Sequence, residues 1–180
     1  MNNMIKAGLL TVGLGLTLQA SDANAGIANY TSFSNAVNYC QAFTPGPSNT
    51  IRNRVIGSQN IGAPIAVACN FQTMINGAPG STTLQRINLS FSNGAAAAAT
   101  VSCTLLTGTS AGIGGGANYA VTKSVVVNPG SASGITFATA DNPIFGATDL
   151  GNVLVGVNCT LPTNMTMSMI QLTGTADNGV

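Results

Sequence analysis

The chain has 180 residues, a formal net charge of +1 and only 5% charged residues, and it contains no histidine. A typical soluble domain has about a quarter of its residues charged, so this composition argues against a nucleic-acid partner and against electrostatic attraction to a membrane surface. Glutamate is also absent, and acid–base catalysis near neutral pH depends mostly on histidine and glutamate. We therefore expect a non-enzymatic protein whose surface is polar but uncharged.

The N-terminal segment is typical of a bacterial export signal. Lys6 precedes an apolar stretch that ends near Ala20, and Ala23-Asn24-Ala25 is an A-x-A-type cleavage site. The apolar stretch is shorter than the ~20 residues that a membrane-spanning helix needs. We predict a signal peptide over residues 1–25, cleaved after Ala25, and a single domain over residues 26–180 without a membrane span. The protein is then secreted or periplasmic.

Turn signals divide the rest of the chain into short runs of alternating or β-branched residues. Strands are predicted near residues 36–43, 51–57, 63–73, 83–92, 95–106, 118–128, 134–139, 152–161 and 165–174. Hairpins are predicted at Asn93-Gly94, Pro129-Gly130 and Pro162-Thr163-Asn164. The pattern indicates an all-β fold, an antiparallel β-sandwich of the jelly-roll or Ig-like kind.

Three of the four cysteines lie in similar strand segments of the form Val-x-Cys-x-(Phe/Leu). Because side chains alternate along a strand, the valine and the cysteine share one face, which places the sulfurs in the core. An even number of cysteines in an exported chain favours disulfides over free thiols or zinc. Three pairings are open; we expect Cys40–Cys69 and Cys103–Cys159, with the bridges tying the two sheets together.

The order of the cysteine motifs resembles that of small exported bacterial proteins of unknown function. The motifs are Cys40, Val67-Ala-Cys69, Val101-Ser-Cys103-Thr-Leu105 and Val157-Asn-Cys159-Thr-Leu161-Pro162. This resemblance implies a secreted or periplasmic β-sandwich with strand-embedded cysteines, and it supplies no activity.

Two groups of residues are candidates for binding. Arg52 and Arg54 alternate along one predicted strand, where they contact an acidic ligand or simply face solvent. Asp141, Asp149 and Asn152 lie in a loop whose oxygen atoms suit calcium, although solvated turn residues have the same composition. We predict no other cofactor and no catalytic residue.

Methionines alternate along the last predicted strand. Met165, Met167 and Met169 are expected on one face, and Ile170 and Leu172 on the other. Core packing is the plainer interpretation of the methionines, and a copper(I) site is the alternative.

The first functional hypothesis is an exported structural or interaction protein of the cell envelope or the extracellular space. It would contact itself or another envelope component through a sandwich face or an uncovered strand edge. The second is a glycan- or small-ligand-binding module that uses Tyr30, Tyr39 and Tyr119. The third is a pilus-like subunit, because Phe33-x-Asn35-x-Val37-x-Tyr39 has the alternation of a donated strand.

Overall fold

The computed structural model describes residues 27–43, 51–71, 83–109, 119–141 and 153–177. The strands are β1 (Ile27–Asn35), β2 (Cys40–Ala42), β3 (Ile51–Arg54), β4 (Gly57–Asn60), β5 (Ile65–Phe71), β6 (Thr83–Asn93), β7 (Ala99–Thr109), β8 (Tyr119–Val127), β9 (Ala132–Ala138), β10 (Val153–Leu161) and β11 (Met165–Asp177). Short 3₁₀ turns follow β1 at Ala36–Asn38 and β9 at Thr139–Asp141. Within these ranges there is no helix with the length and hydrophobicity of a membrane span.

The strands form two antiparallel sheets, which confirms the predicted β-sandwich. The six-stranded sheet has the order β3-β4-β11-β6-β9, and β1 pairs with β11 next to β4. The five-stranded sheet has the order β2-β5-β10-β7-β8. From β4 to β11 the chain crosses to the other sheet at every connection except the one between β7 and β8. This connectivity is that of a jelly roll and not of an Ig-like domain.

The core lies between the two sheets and follows from the alternation along each strand. In β5 every second residue is buried, beginning with Ile65 and ending with Phe71. In β6, Ile87, Leu89 and Phe91 are fully buried and face the five-stranded sheet. Period-two burial of apolar side chains is what aligns these segments as strands with one face in the core.

Both predicted disulfides are present, but they do not join the two sheets. Cys40 lies directly opposite Cys69 on the neighbouring strand, and Cys103 lies directly opposite Cys159, each pair with a Cα–Cα distance of 4.0 Å. All four cysteines belong to the five-stranded sheet, so the prediction that the bridges tie the sheets together was wrong. The bridges instead lock neighbouring strands of one sheet, with their sulfur atoms inside the core.

Contact between the sheets at the first disulfide comes from a methionine. The Met167 Sδ on β11 lies 3.5 Å from the Cys40 Sγ and 3.8 Å from the Cys69 Sγ. Sulfur is polarisable and packs favourably in irregular core spaces. The methionine thereby connects the six-stranded sheet with the strand pair that the disulfide holds.

The three predicted hairpins are wrong, because each of these connections crosses from one sheet to the other. The buried side chain of Asn93 explains the first crossing. Its Nδ2 donates to the carbonyls of Ala97 and Val127, both at 2.8 Å, and its Oδ1 accepts from the Ala95 N–H at 2.8 Å. These bonds turn the chain away from β6, so that residues 95–97 form bends and not the predicted strand.

The methionine alternation is interrupted by an irregularity in β11. The register with β6 shifts between Met167 and Ile170, which is where a β-bulge adds a residue to one strand. As a result Met165, Met167 and Ile170 are all fully buried, whereas Met169 is 38% exposed. The prediction that Met169 shares the face of the other two methionines was therefore wrong, and so was the placement of Ile170 on the opposite face.

Candidate functional site

One continuous line of side chains crosses the outer face of the six-stranded sheet. Phe33 on β1 lies opposite Gln171 on β11, Gln171 lies opposite Asn88 on β6, and Asn88 lies opposite Thr136 on β9. We call these four residues the outer row. Neighbouring strands are about 4.8 Å apart, so the row spans about 14 Å. That length accommodates an extended ligand.

Buried neighbours in the sequence aim Asn88 and Thr136 at solvent. Ile87 and Leu89 are fully buried, so Asn88 between them points away from the core. Thr136 has the same position between the buried residues Ile135 and Phe137. The core residues thus set the direction of the polar ones.

Hydrogen bonds fix the polar part of the row. The Thr136 hydroxyl donates to the Asn88 Oδ1 at 2.8 Å, and the Asn88 Nδ2 donates to the Gln171 Oε1 at 2.9 Å. These bonds consume one hydrogen of the Asn88 amide and none of the Gln171 amide nitrogen. The remaining amide hydrogens are held in a defined orientation in which they can donate to a ligand.

The other end of the row is apolar. The Phe33 side chain is 62% exposed, and it borders a shallow depression of about 290 Å³ that is also lined by Ser34, Asn35, Ser168 and Met169. Asn35 is held in place because its Nδ2 donates to the Val55 carbonyl at 2.8 Å and its Oδ1 accepts from the Val37 N–H at 3.1 Å. An exposed phenyl ring therefore adjoins the line of fixed amides.

Cationic side chains adjoin the outer row at two of its described members: the Lys123 Nζ donates to the Thr136 carbonyl at 2.8 Å, and Arg86 lies beside Asn88. Arg86 is exposed two residues before Asn88 on the same face, opposite Thr173 on β11 and Ala138 on β9. The four members of the row are themselves uncharged. The local chemistry thus consists of an apolar ring, amides and a hydroxyl.

The outer face of the five-stranded sheet is built differently. Its hydroxyl groups bond to each other in pairs, with 2.8 Å between the oxygens of Thr104 and Thr122 and 3.0 Å between those of Ser124 and Ser102. These side chains are small, and the pairs lie on neighbouring strands. The five-stranded sheet also has an exposed phenyl ring, that of Phe43 just after β2, and amide side chains such as that of Asn158. The described hydrogen bond between two amide side chains, those of Asn88 and Gln171, distinguishes the outer row.

The predicted arginine pair is not part of the outer row. Arg52 and Arg54 are exposed on β3, the edge strand of the six-stranded sheet, opposite Gln59 and Gly57 on β4. Their contact with a ligand remains a prediction.

The three tyrosines do not form one platform. Burial raises the pKa of Tyr30 on β1. Tyr39 is half-buried and packs against Phe71 with 5.9 Å between the ring centroids. Tyr119 begins β8 in the other sheet. The aromatic side chain that the structure places in line with the hydrogen-bonded amides is Phe33.

Asp141 takes part in an ion pair between the two sheets. Its Oδ1 lies 2.7 Å from the Lys123 Nζ, and its Oδ2 accepts from the Ala138 N–H at 2.7 Å. Burial alone would raise the pKa of Asp141, but the hydrogen bonds from Lys123 and Ala138 and the charge of Lys123 outweigh it and lower the pKa. Lys123 also donates to the Thr136 carbonyl at 2.8 Å.

The predicted calcium site lies partly outside the described residues. Asp149 and Asn152 belong to the ranges that are not described, so calcium binding remains a prediction. In the part of the chain that the structure covers, no three Cys, His, Asp or Glu side chains form a group that could hold a metal ion.

Sequence reasoning did not bring the members of the outer row together; it named Phe33 alone, as part of a donated strand. Each of them looks like an ordinary outward-facing strand residue, and their alignment depends on which strands are neighbours. The alternation around Asn88 and Thr136 was the available signal for their direction. Nothing in the sequence indicates that β11 lies between β1 and β6.

Comparison with known proteins gives remote likenesses to solved structures. No family model and no curated protein matches the chain. A family 11 carbohydrate-binding module from Clostridium thermocellum in complex with a β-1,3-1,4-mixed-linked tetrasaccharide is 11% identical, with a TM-score of 0.36 over 88% of this chain and 92% of that one. The xylan-binding module CBM15 is 12% identical, with a TM-score of 0.37 over 81% and 97%. An exo-β-1,3-galactanase from Phanerochaete chrysosporium, solved with galactose, is 12% identical, with a TM-score of 0.36 over 81% of this chain and 29% of that one.

Proposed function

We propose that the protein is an exported, non-enzymatic binding module that holds a neutral carbohydrate chain on the outer row. The observation that carries this proposal is the exposed Phe33 ring in line with the hydrogen-bonded side chains of Gln171, Asn88 and Thr136. The proposal combines the two hypotheses of an envelope interaction protein and a glycan-binding module, with the glycan as the envelope component.

The chemistry of a sugar chain fits both ends of the row. One face of a pyranose ring presents C–H groups, which pack on an apolar aromatic surface. The hydroxyl groups at the ring edge both donate and accept hydrogen bonds, and amides and hydroxyls offer both functions. Because the amides are already oriented by bonds within the sheet, the ligand does not have to order them on binding.

The charge of the site supports a neutral ligand. The row contains no ionised side chain; of the cations that adjoin it, Lys123 is paired with Asp141 and Arg86 is exposed. A phosphate-rich or strongly acidic polymer is normally bound by clusters of arginine or lysine. A neutral glycan can be bound without such a cluster of cationic side chains.

A binding role agrees with the residue types that the chain offers. Hydrolysis of a glycosidic bond normally uses two carboxylates at a fixed separation, and after the leader the carboxylates are Asp141, Asp149 and Asp177. Asp141 is engaged by Lys123. Export is supported by the predicted leader and by the two disulfides, which form in oxidising compartments.

Affinity electrophoresis tests the proposal with immobilised neutral polysaccharides, namely mixed-linkage β-glucan, xylan, galactan and mannan, and with acidic polygalacturonate for comparison. We expect retardation by at least one neutral polymer, weakened about tenfold or more by Phe33→Ala, since loss of an aromatic anchor typically costs over 1 kcal/mol. Phe43→Ala is the matched control, because Phe43 is 67% exposed after β2 of the other sheet. Equal losses in both variants, or no retardation by any neutral polymer, would refute the proposal.

A further inference from the structure

No described strand pairs with the second edge of β1, the edge that faces away from β11. β1 pairs with β11 over nine consecutive residue pairs without a register shift. In the described ranges this is the one ladder that β1 forms. The groups along the second edge of such a strand are a template on which another strand can add.

Each of the other sheet edges within the described ranges carries a feature that opposes strand addition. β3 exposes Arg52 and Arg54, and β2 has three residues. β8 and β9 lie side by side, and the inward-pointing Lys123 of β8 bonds to the Thr136 carbonyl of β9 and to Asp141. Charged side chains, short strands and inward-pointing charges are the devices by which natural sheets avoid edge pairing.

β1 lacks all of these features. Its sequence, Ile-Ala-Asn-Tyr-Thr-Ser-Phe-Ser-Asn, has no charge, no proline and no glycine. Several of its residues are of β-favouring types, and the regular register with β11 indicates a strand without a bulge. The net charge of +1 for the whole chain gives little repulsion between copies.

We propose that β1 pairs with β1 of a second copy of this chain, antiparallel and about a two-fold axis. The two six-stranded sheets then form one continuous sheet. Full overlap of Ile27–Asn35 with itself places Thr31 opposite the second copy's Thr31, and Phe33 opposite the second copy's Asn29. Two-fold dimers bury the same surface on both subunits, and threonine pairs opposite each other are favourable in antiparallel sheets. The outer rows of both copies come to lie on one surface.

Sedimentation velocity over a concentration series tests this pairing on the full chain, expressed with residues 1–25 and purified as the host processes it. The wild-type protein is expected to form a reversible dimer. Thr31→Lys and Thr31→Glu are each expected to weaken dimerisation about tenfold or more, because like charges meet at the two-fold axis. An equimolar mixture of the two variants is expected to dimerise again, since lysine then faces glutamate.

Thr173→Glu is the matched control for Thr31→Glu. Thr173 lies opposite Thr31 on β11, on the same face but in the interior of the sheet, and the new glutamate faces Arg86 on β6, so this variant should dimerise like the wild type. Should the charged variants not fold, Thr31→Cys provides a second test, because it is expected to crosslink to itself under mild oxidation whereas Thr173→Cys is not. A wild-type protein that stays monomeric at all concentrations would overturn the proposal. So would a dimer that is unaffected by the charges at Thr31, or one that Thr173→Glu weakens as much as Thr31→Glu does.

Discussion

Two buried asparagine side chains, those of Asn60 and Asn93, hold the ends of strands where the chain passes between sheets. The Asn60 Nδ2 donates to the carbonyls of Ala63 and Leu161, both at 2.9 Å, and its Oδ1 accepts from the Gly62 N–H at 3.0 Å. Asn93 has the same arrangement at the end of β6. The dipeptide Asn93-Gly94 predicted a hairpin because it favours a type I′ turn. From the sequence alone, an asparagine that begins a type I′ turn cannot be distinguished from one whose side chain donates hydrogen bonds to buried carbonyls.

Replacing Asn93 with alanine tests this structural role. Asn93→Ala removes the donor to the buried Val127 carbonyl and the acceptor for the Ala95 N–H. We expect the free energy of unfolding in urea to fall by about 2–3 kcal/mol, because a buried polar group without a partner is costly. Asn128→Ala, at an exposed position between β8 and β9, should change it by less than about 0.5 kcal/mol. Similar small losses in both variants would contradict the role of Asn93.

The ion pair of Asp141 predicts an acid-sensitive part of the stability. The pKa of Asp141 is lowered below its ordinary value of 3.8, so its contribution is present above that pH and is lost as the pH falls through the lower, folded-state pKa. Because both side chains are partly exposed, the contribution is about 1 kcal/mol or less. Melting temperatures of wild type and Asp141→Asn should therefore differ at pH 6 and converge below pH 3.8. A constant difference across this range would show that the ion pair is not responsible.

At the scale of single elements, the irregularity in β11 decides which methionines build the core. Met167 packs against the first disulfide, and Met169 is exposed beside Phe33. Strict alternation predicted the same environment for both residues. The extra residue of a bulge cannot be recognised in a run such as Met165-Thr-Met-Ser-Met169, because both registers leave an apolar residue facing inward.

Alanine variants of the two methionines measure the effect of the irregularity. Met167→Ala should lower the free energy of unfolding by about 2–5 kcal/mol, because it leaves a cavity beside the Cys40–Cys69 bridge. Met169→Ala should change it by less than about 1 kcal/mol, since the side chain is 38% exposed. Urea denaturation of both variants gives the comparison. Equal destabilisation by the two variants would indicate that Met167 and Met169 share one environment, as strict alternation predicts, and would contradict the observed register.

The first strand was also misplaced by its sequence pattern. The first strand was predicted near residues 36–43, and Phe33-x-Asn35-x-Val37-x-Tyr39 was considered as one donated strand, but β1 spans Ile27–Asn35 and β2 only Cys40–Ala42. There the Asn35 side chain accepts from the Val37 N–H and begins a 3₁₀ turn. The segment that was considered for donation to another subunit is thus divided, and its first part is paired with β11 of the same chain. The pilus-like subunit remains a prediction, but residues 33–39 do not form the continuous strand on which it was based.

At the scale of the whole molecule, the spacing of strands and turns predicted the fold class, and the pairing of the bridges that was expected among three open ones is the one observed. Alternation around Cys69, Cys103 and Cys159 placed their sulfurs in the core, where the structure has them. The distribution of strands between the two sheets was not predictable, because each turn signal is compatible with a hairpin and with a crossing. For the same reason the outer row was missed: Phe33 and Thr136 are far apart in sequence, and the strand order alone aligns them.

Carbohydrate binding on the outer row is tested most directly by NMR. Isotope-labelled protein is titrated with neutral oligosaccharides from the polysaccharide that retards the protein in affinity electrophoresis. We predict shifts of the side-chain amide signals of Asn88 and Gln171 and of backbone amides near Phe33 and Thr136, with little change in the five-stranded sheet. Shifts centred on Arg52 and Arg54 or on the other sheet, or an unchanged spectrum with every oligosaccharide, would contradict carbohydrate binding on this face.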